Sequence, residues 1–448
     1  MKKNYWYIIL IVFFTATVSF VVIKYKNKLQ VETNTEYGLL PRTNNNNNAE
    51  WLIAKKNTDN LVAKIKANPG DIRSALTLAN AYIMEARISG NIAYYDKAAM
   101  RTVDNILLQE PANYEALMLR SLLQLSQHHF ADGLATATAA AKIDSNSAFV
   151  YGLLVDANVE MGNYKEALDA ADKMISIRPD LRSYSRIAYL REMHGDYPGA
   201  VDAMKLAVES GVPGEESTEW CRTQLGKLYE HVGEKEKAGF QYRLSLAARP
   251  GYAYAMAGLG RIASAEKKYD SAVSYFEKAA GLVSDLGIKE NLATVYKNAG
   301  KTGNANAMNI TVINEMTENA KAAIDDPTAG HYSDKELAYA YLQNNNYDKA
   351  LEHALAEYNR RPKNIDVNET MAWVYYKRNE FTKALPYLEA ALLTHSMNPV
   401  LLCTAGLIYN KTGNATKAKL MLSLGLKHDP VMPEDIKKES KEALQKLL

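Results

Sequence analysis

Residues 223–250, TQLGKLYEHVGEKEKAGFQYRLSLAARP, hold the pattern that decides the fold. Two helix-length segments meet at Gly233-Glu234, and small residues stand at set places within them. Gly226 follows Leu225, Tyr229 comes three positions later, Ala238 lies in the second segment, and Pro250 closes it. Small residues let two helices approach closely, and large ones three or four positions away share their face and fill the contact. The stretch therefore reads as one antiparallel helical hairpin.

The same phases recur along the chain. Prolines act as a ruler: Pro111 to Pro179 is 68 residues, and so is Pro362 to Pro430. Both are twice a 34-residue period. Pro179 to Pro250 is 71 residues and Pro250 to Pro362 is 112, so extra residues fall in that last interval. In phase with this ruler stand Ala167, Ala200, Ala238, Ala272, Ala305, Ala350, Ala384 and Ala418. Nine residues before several of them come Tyr229, Tyr296, Tyr341, Tyr375 and Tyr409, preceded by Leu225, Leu292, Leu337, Met371 and Ala405. A hairpin of this length cannot bury its own apolar face, so each unit must stack on the next.

These residues resemble the tetratricopeptide repeat, whose pattern is W-x2-L-G-x2-Y followed by alanine, an aromatic and proline. Leu225, Gly226, Tyr229, Gly233, Ala238, Tyr242 and Pro250 match it, with Arg222 in place of the tryptophan. The resemblance covers about residues 71–430 and implies an all-α, right-handed superhelical solenoid of antiparallel helix pairs, with about ten hairpins in 49–432. Residues 49–70 read as a helix stacked in front and 433–448 as a polar-faced closing helix. The unit at 71–111 carries an insertion around Ile88 to Tyr94, and 285–327 has an unusually long second helix.

Ahead of the repeats, YWYIILIVFFTATVSFVVI, residues 5–23, is 19 residues without a charge. As a helix it would be about 28 Å long, close to the hydrocarbon thickness of a bilayer. Lys2 and Lys3 precede it; Lys24, Lys26 and Lys28 follow. Residues 1–28 are read as an uncleaved signal anchor preceding the solenoid, with a cleaved secretory signal as the alternative. A short tail bearing two lysines favours the cytosol, which would put the repeats on the extracytoplasmic, periplasmic side. Residues 29–48, with a proline and five consecutive asparagines, read as a flexible tether.

Composition limits the function further. The chain has 448 residues, 47% hydrophobic and 23% charged, as expected of a folded protein. With 53 basic and 51 acidic residues the net charge is +2, too little to track a phosphate backbone, so no nucleic-acid partner is expected. Tyrosine is in excess, 29 against 8 phenylalanines, so many ring hydroxyls need a partner. Cys221 and Cys403, the two cysteines, are read as small buried residues; so far apart in a linear array, they are not expected to meet. His128 and His129 are adjacent and the other histidines scattered, with no CxxC, HExxH, GxSxG or phosphate-loop motif. No cofactor, metal or catalytic residue is assigned, and the protein is read as a non-enzyme.

What remains is the concave groove of the array. The resemblance implies that the first helix of each hairpin lines it and that positions free of packing duty bind an extended peptide. Those positions are Phe149, Asp156, Arg182, Arg186, Tyr189, Trp220, Lys227, Tyr254, Arg261, Tyr332, Lys335, Tyr339, Trp373 and Tyr376. Aromatics and cations outnumber acids among them. This set suits a segment with acidic or aromatic side chains and would equally suit a glycan stacked on Tyr and Trp. Arg182 and Arg186 fit the basic pair of the family's carboxylate clamp, but Leu153 stands where its asparagine would be, so capture of a C-terminal carboxylate is not supported. The expected function is a membrane-tethered scaffold for a protein or peptide, or alternatively an accessory protein of an envelope or surface-polysaccharide system.

Overall fold

The structure is a computed structural model and describes residues 37–42, 49–326 and 328–448, with positions 13, 14 and 17 besides. Apart from those three positions, the apolar segment 5–23 lies outside the described residues, as does most of the tether. Among the described residues no helix is long and apolar enough to cross a membrane.

All regular structure among the described residues is helical. After α1 (Ala49–Ala67) come ten hairpins. They are α2 (Ile72–Ser89) with α3 (Ile92–Gln109), α4 (Tyr114–Ser126) with α5 (Phe130–Ile143), and α6 (Ala148–Met161) with α7 (Tyr164–Ile177). Next are α8 (Leu181–Met193) with α9 (Tyr197–Glu209), α10 (Glu216–His231) with α11 (Lys235–Ala248), and α12 (Ala253–Ala265) with α13 (Tyr269–Ala280). Then α14 (Leu286–Asn298) with α15 (Thr302–Asp325), α16 (Asp334–Gln343) with α17 (Tyr347–Arg360), α18 (Ile365–Lys377) with α19 (Phe381–Ala391), and α20 (Pro399–Lys411) with α21 (Ala415–Gly425). The chain ends in α22 (Glu434–Leu447). The insertion near residue 90 is absorbed as two 18-residue helices in hairpin 1, and the long unit appears as the 24-residue α15.

Local chemistry starts these helices. Asp71, Asn113, Asp180, Asp285, Asn364 and Asn398 each accept an amide of the first turn with a side-chain oxygen, which satisfies one of the donors a helix start leaves open. Packing follows the expected phases. A Cβ on Gly226 would overlap the ring of Tyr242, and one on Gly258 would come 2.5 Å from the same ring. Tyr242 is fully buried between these two bare backbones and carries the contact between hairpins 5 and 6. First helices of successive hairpins touch one another, so they line the concave side.

The array is not open. The turn inside each of the first hairpins meets the loop that ends the hairpin five places further on. Ser284 donates to Ser89 O, Tyr332 to Gln127 O and Val431 to Glu230 O through their backbone amides. Side chains extend this seam over sequence separations from 194, Lys235 to Asp429, to 229, Lys97 to Asp326. Asn364 caps α18 and also donates to Glu160 O at 3.0 Å; Tyr164 Oη accepts from Ile365 N at 2.7 Å. Arg361, buried, pairs with Glu160 across the seam and with Glu357 in its own helix, over the face of Phe130. Lys97 reaches Asp326 at 2.8 Å and Lys235 reaches Asp429 at 2.7 Å. The expectation that residues far apart in a linear array do not meet is therefore overturned: one superhelical turn rests on the next. Cys221 and Cys403 are nonetheless both free and buried.

Both ends are closed. Six residues of the expected tether, Tyr37–Arg42, form a strap over hairpin 1. Tyr82 Oη donates to Tyr37 O at 2.5 Å, Tyr94 Oη to Gly38 O at 2.9 Å, and Leu40 N donates to Tyr95 Oη at 2.8 Å. Trp51 Nε1 donates to Leu40 O, and Arg42 forks onto Glu85 at 2.7 and 2.8 Å. This part of the segment is thus seated rather than free, and the tyrosine hydroxyls are what seat it. At the other end α22 packs on α20 and α21.

Candidate concave binding face

The first helices carry the groove positions inward, and the structure divides them into several kinds. Asp156 and Arg186 are a closed pair: Arg186 Nε and Nη2 donate to the two Asp156 oxygens at 2.9 and 2.6 Å, and Nε also reaches Gly152 O at 3.1 Å. Arg261 is likewise committed, with Nε on Glu230 Oε2 at 2.9 Å and Nη2 on both Glu230 Oε1 and Tyr242 Oη at 3.0 Å. A guanidinium already bidentate to a carboxylate has little left for a ligand. Tyr254 Oη donates to Asp285 at 3.3 Å and its ring meets Tyr252 edge-on.

Three positions are corrected outright. Trp373 and Tyr376 are 6% and 5% exposed, stacked on each other at 4.9 Å, and Tyr376 Oη donates to Glu439 of α22 at 2.6 Å. They belong to the core because α22 occupies the place a next repeat would take. Tyr332 lies in the seam, stacked on His129 at 4.4 Å with the Arg360 guanidinium 4.6 Å over its ring.

Phe149, Arg182, Tyr189, Trp220, Lys227, Lys335 and Tyr339 remain. Tyr189 and Trp220 are 42% and 36% exposed. Yet desolvation, then Asp366 and Glu160, push the Tyr189 hydroxyl well above its usual range. Lys227 is exposed, and desolvation followed by Arg261 lowers its pKa. Groups that water reaches but that are still desolvated face a concavity walled by protein. Arg182 lies 5.2 Å over the Phe149 ring; desolvation, then the neighbouring Arg186, Arg87 and Arg178, lowers its pKa despite Asp180. Desolvation opposes the charge on Lys335, but Asp366, Glu336 and Glu160 prevail and raise it. The Tyr339 hydroxyl is raised by desolvation and by Glu369.

Those acids are what the sequence reading missed. Glu290 is pushed up to about 7 by desolvation and by Glu336 and Asp285. Glu369 is pushed up to about 8 by desolvation and Asp366. Asp366 stands five residues before Met371, the register of Trp220 and Tyr332, and Glu369 two before it, the register of Lys335, so the repeat phase itself could have found them. The balance of cations over acids thus holds for hairpins 3–5 and reverses in hairpins 7–9.

Stacked helical hairpins with a lined concave side define the class, a repeat solenoid. The tetratricopeptide-repeat family model matches residues 255–290, which span hairpin 6 and the start of hairpin 7, and with the ten hairpins this supports repeats of that kind. No curated protein matches the sequence. Among solved structures, the chain is similar to a tetratricopeptide repeat protein from Parabacteroides merdae at 17% identity, over 52% of this chain and 89% of that one, with a TM-score of 0.41. It is similar to a thermophilic tetratricopeptide-repeat protein of Thermus thermophilus at 18% identity, over 46% and 98%, with a TM-score of 0.36. A human IFIT1 dimer with PPP-AAAA is similar at 14% identity, over 77% and 78%, with a TM-score of 0.47.

Proposed function

We propose that the protein is a non-catalytic scaffold, tethered to a membrane through residues 5–23, whose concave face holds an extended segment of a partner protein. The observation that carries this reading is the set of accessible side chains in hairpins 4 and 5, Arg182, Tyr189, Trp220 and Lys227, the three titratable ones of which are also desolvated. Cations and acids separate along the face, cations at Arg182 and Lys227, acids at Glu290, Asp366 and Glu369. An extended chain with acidic side chains over hairpins 4–5 meets the cations with charge-assisted bonds, and basic side chains over hairpins 7–9 would draw Glu290 and Glu369, held largely protonated near neutral pH, into their charged form.

Reversing the charge at Arg182→Glu and Lys227→Glu in the full chain abolishes partner capture from membranes, while Lys165→Glu, on an outer helix with an 85% exposed side chain, leaves it unchanged. Capture that survives the first pair of changes, in a chain with native circular dichroism, refutes the reading. The accessible faces of Tyr189 and Trp220 favour a second one, a glycan stacked in the groove within an envelope or surface-polysaccharide system. Trp220→Ala separates the two: glycan binding would fall with it, whereas peptide capture would follow Arg182 and Lys227.

A further inference from the structure

The turn inside a hairpin needs one residue in the left-handed backbone region, and four of the turns facing the seam use glycine there: Gly90, Gly162, Gly195 and Gly233. Each has the loop of the next superhelical turn where a Cβ would stand. Gly90 meets Ser284 O at 2.6 Å, Gly162 meets the Lys363 carbonyl carbon at 2.5 Å, and Gly195 meets His395 O at 2.7 Å. Hairpin 2 departs from this. Its residue is His128, at φ 61, where an L-residue costs roughly 1–2 kcal/mol. Its imidazole enters the seam that elsewhere accepts bare backbone, with its ring centroid 3.8 Å from that of His331.

The hydrogen bonds fix what each ring presents. His128 Nδ1 lies 2.9 Å from Tyr332 O, and His331 Nδ1 lies 3.1 Å from Ser126 O. A carbonyl can only accept, so both Nδ1 atoms carry the proton and both Nε2 atoms carry a lone pair. Desolvation first, then neighbouring positive groups for His128, depresses both imidazoles, which keeps them in the neutral, ligating form. An Nδ1–H donating to a backbone carbonyl is also how metal-bound imidazoles are oriented. Facing them, Glu336 Oε2 is buried without a hydrogen-bond partner, and so is Glu290 Oε1. One ligand atom from each of His128, His331 and Glu336 lies within 4.8 Å of the other two.

We infer that His128, His331 and Glu336 form a binding site for a divalent transition ion of the zinc type, which ties the first superhelical turn to the second. Two imidazoles and a carboxylate suit zinc rather than magnesium or calcium, which prefer all-oxygen shells. Ligand atoms around a tetrahedral zinc stand roughly 3.3 Å apart, so side-chain rotation of about an ångström closes the shell. Glu290 interacts electrostatically with Glu336, and its carboxylate would make the site neutral. The histidines, scattered in sequence, become a pair because the seam closes.

The test uses the full chain freed of metal by chelation and titrated with Zn2+ in a calorimeter, with thermal unfolding in parallel. The expected result is one ion per chain and a higher melting temperature with zinc. His331→Ala and Glu336→Gln each weaken binding at least tenfold and remove the thermal shift. Glu336→Gln leaves the paired imidazoles in place, so it decides the matter if His331→Ala fails to fold. Zinc binding no tighter than in the variants, or equally tight in Glu336→Gln, overturns the assignment.

Discussion

Gly233 and Gly413 occupy the same place in hairpins 5 and 10 and have nearly the same backbone, φ 81 and 83. They differ in what lies beyond them. A Cβ on Gly233 would overlap the His428 carbonyl, whereas Gly413 has nothing within 4 Å. The first turn of the superhelix is pressed against the second, whereas in the second turn Gly300 of hairpin 7 and Gly413 of hairpin 10 face open space. A local motif therefore carries two physical duties that look alike in sequence. One is backbone conformation, shared by both glycines; the other is room for a chain segment about 200 residues away, required of Gly233 alone.

The largest test of that difference is the buried cation that crosses the seam. Arg361 is 3% exposed and divides its guanidinium between Glu160 of hairpin 3 and Glu357 of its own hairpin. Arg361→Ala leaves Glu160 without its ion-pair partner and Glu357 with Arg360 alone, and removing one partner of a buried pair costs about 3–5 kcal/mol. Urea unfolding should show this loss, while Arg378→Ala, whose surface pairs lie within the second turn, should cost about 0–1 kcal/mol. Equal losses would mean that the seam contributes no more than an exposed pair.

The glycines give the next effect. Gly413→Ala should cost only the left-handed conformation, roughly 1–2 kcal/mol. Gly233→Ala should cost that and the overlap with His428, a further ~1–3 kcal/mol. The difference between the two, read from chemical unfolding, isolates the turn-to-turn contact. If the two substitutions cost the same, the turns do not press on each other in solution.

Most of the hairpins were legible in sequence, because the contacts that define them, such as Gly226 and Gly258 around Tyr242, join residues at most one repeat apart. The seam was not legible, because its partners carry no shared motif: a backbone carbonyl at His428 accepts a glycine without any signature of its own. The groove was half legible. Register alone placed Trp373 and Tyr376 on the concave side, but α22 covers them, and Glu439 supplies the hydroxyl acceptor that no repeat pattern announces. Arg186 and Arg261 were read as free cations because their carboxylates, Asp156 and Glu230, stand about one repeat earlier, on a neighbouring helix. Glu369 and Glu290 were missed since their significance is their desolvation, which depends on the closed shape.

The smallest effect comes from pH. Lys235 and then Lys437 hold the Asp429 carboxyl down at about 2, and Lys97 with Thr328 holds Asp326 at about 2 against the desolvation that would raise it. An unfolded aspartate titrates near ~3.9, so both pairs contribute fully above about pH 4 and lose their contribution as pH falls towards 2. Both pairs are partly exposed, so each contributes only ~0–1 kcal/mol. Acid should loosen the seam before it loosens the hairpins. Hydrogen exchange, corrected for intrinsic rate, should accelerate a few-fold at the seam amides of Val431 and Tyr332 between about pH 4.5 and 2.5. Amides inside α18 should hold their protection over the same interval. Asp429→Asn should make the Val431 amide insensitive to this change while leaving Tyr332 sensitive, because the two ion pairs lie at separate places along the seam. Uniform acceleration across hairpins and seam would show that the turns and the repeats open as one unit.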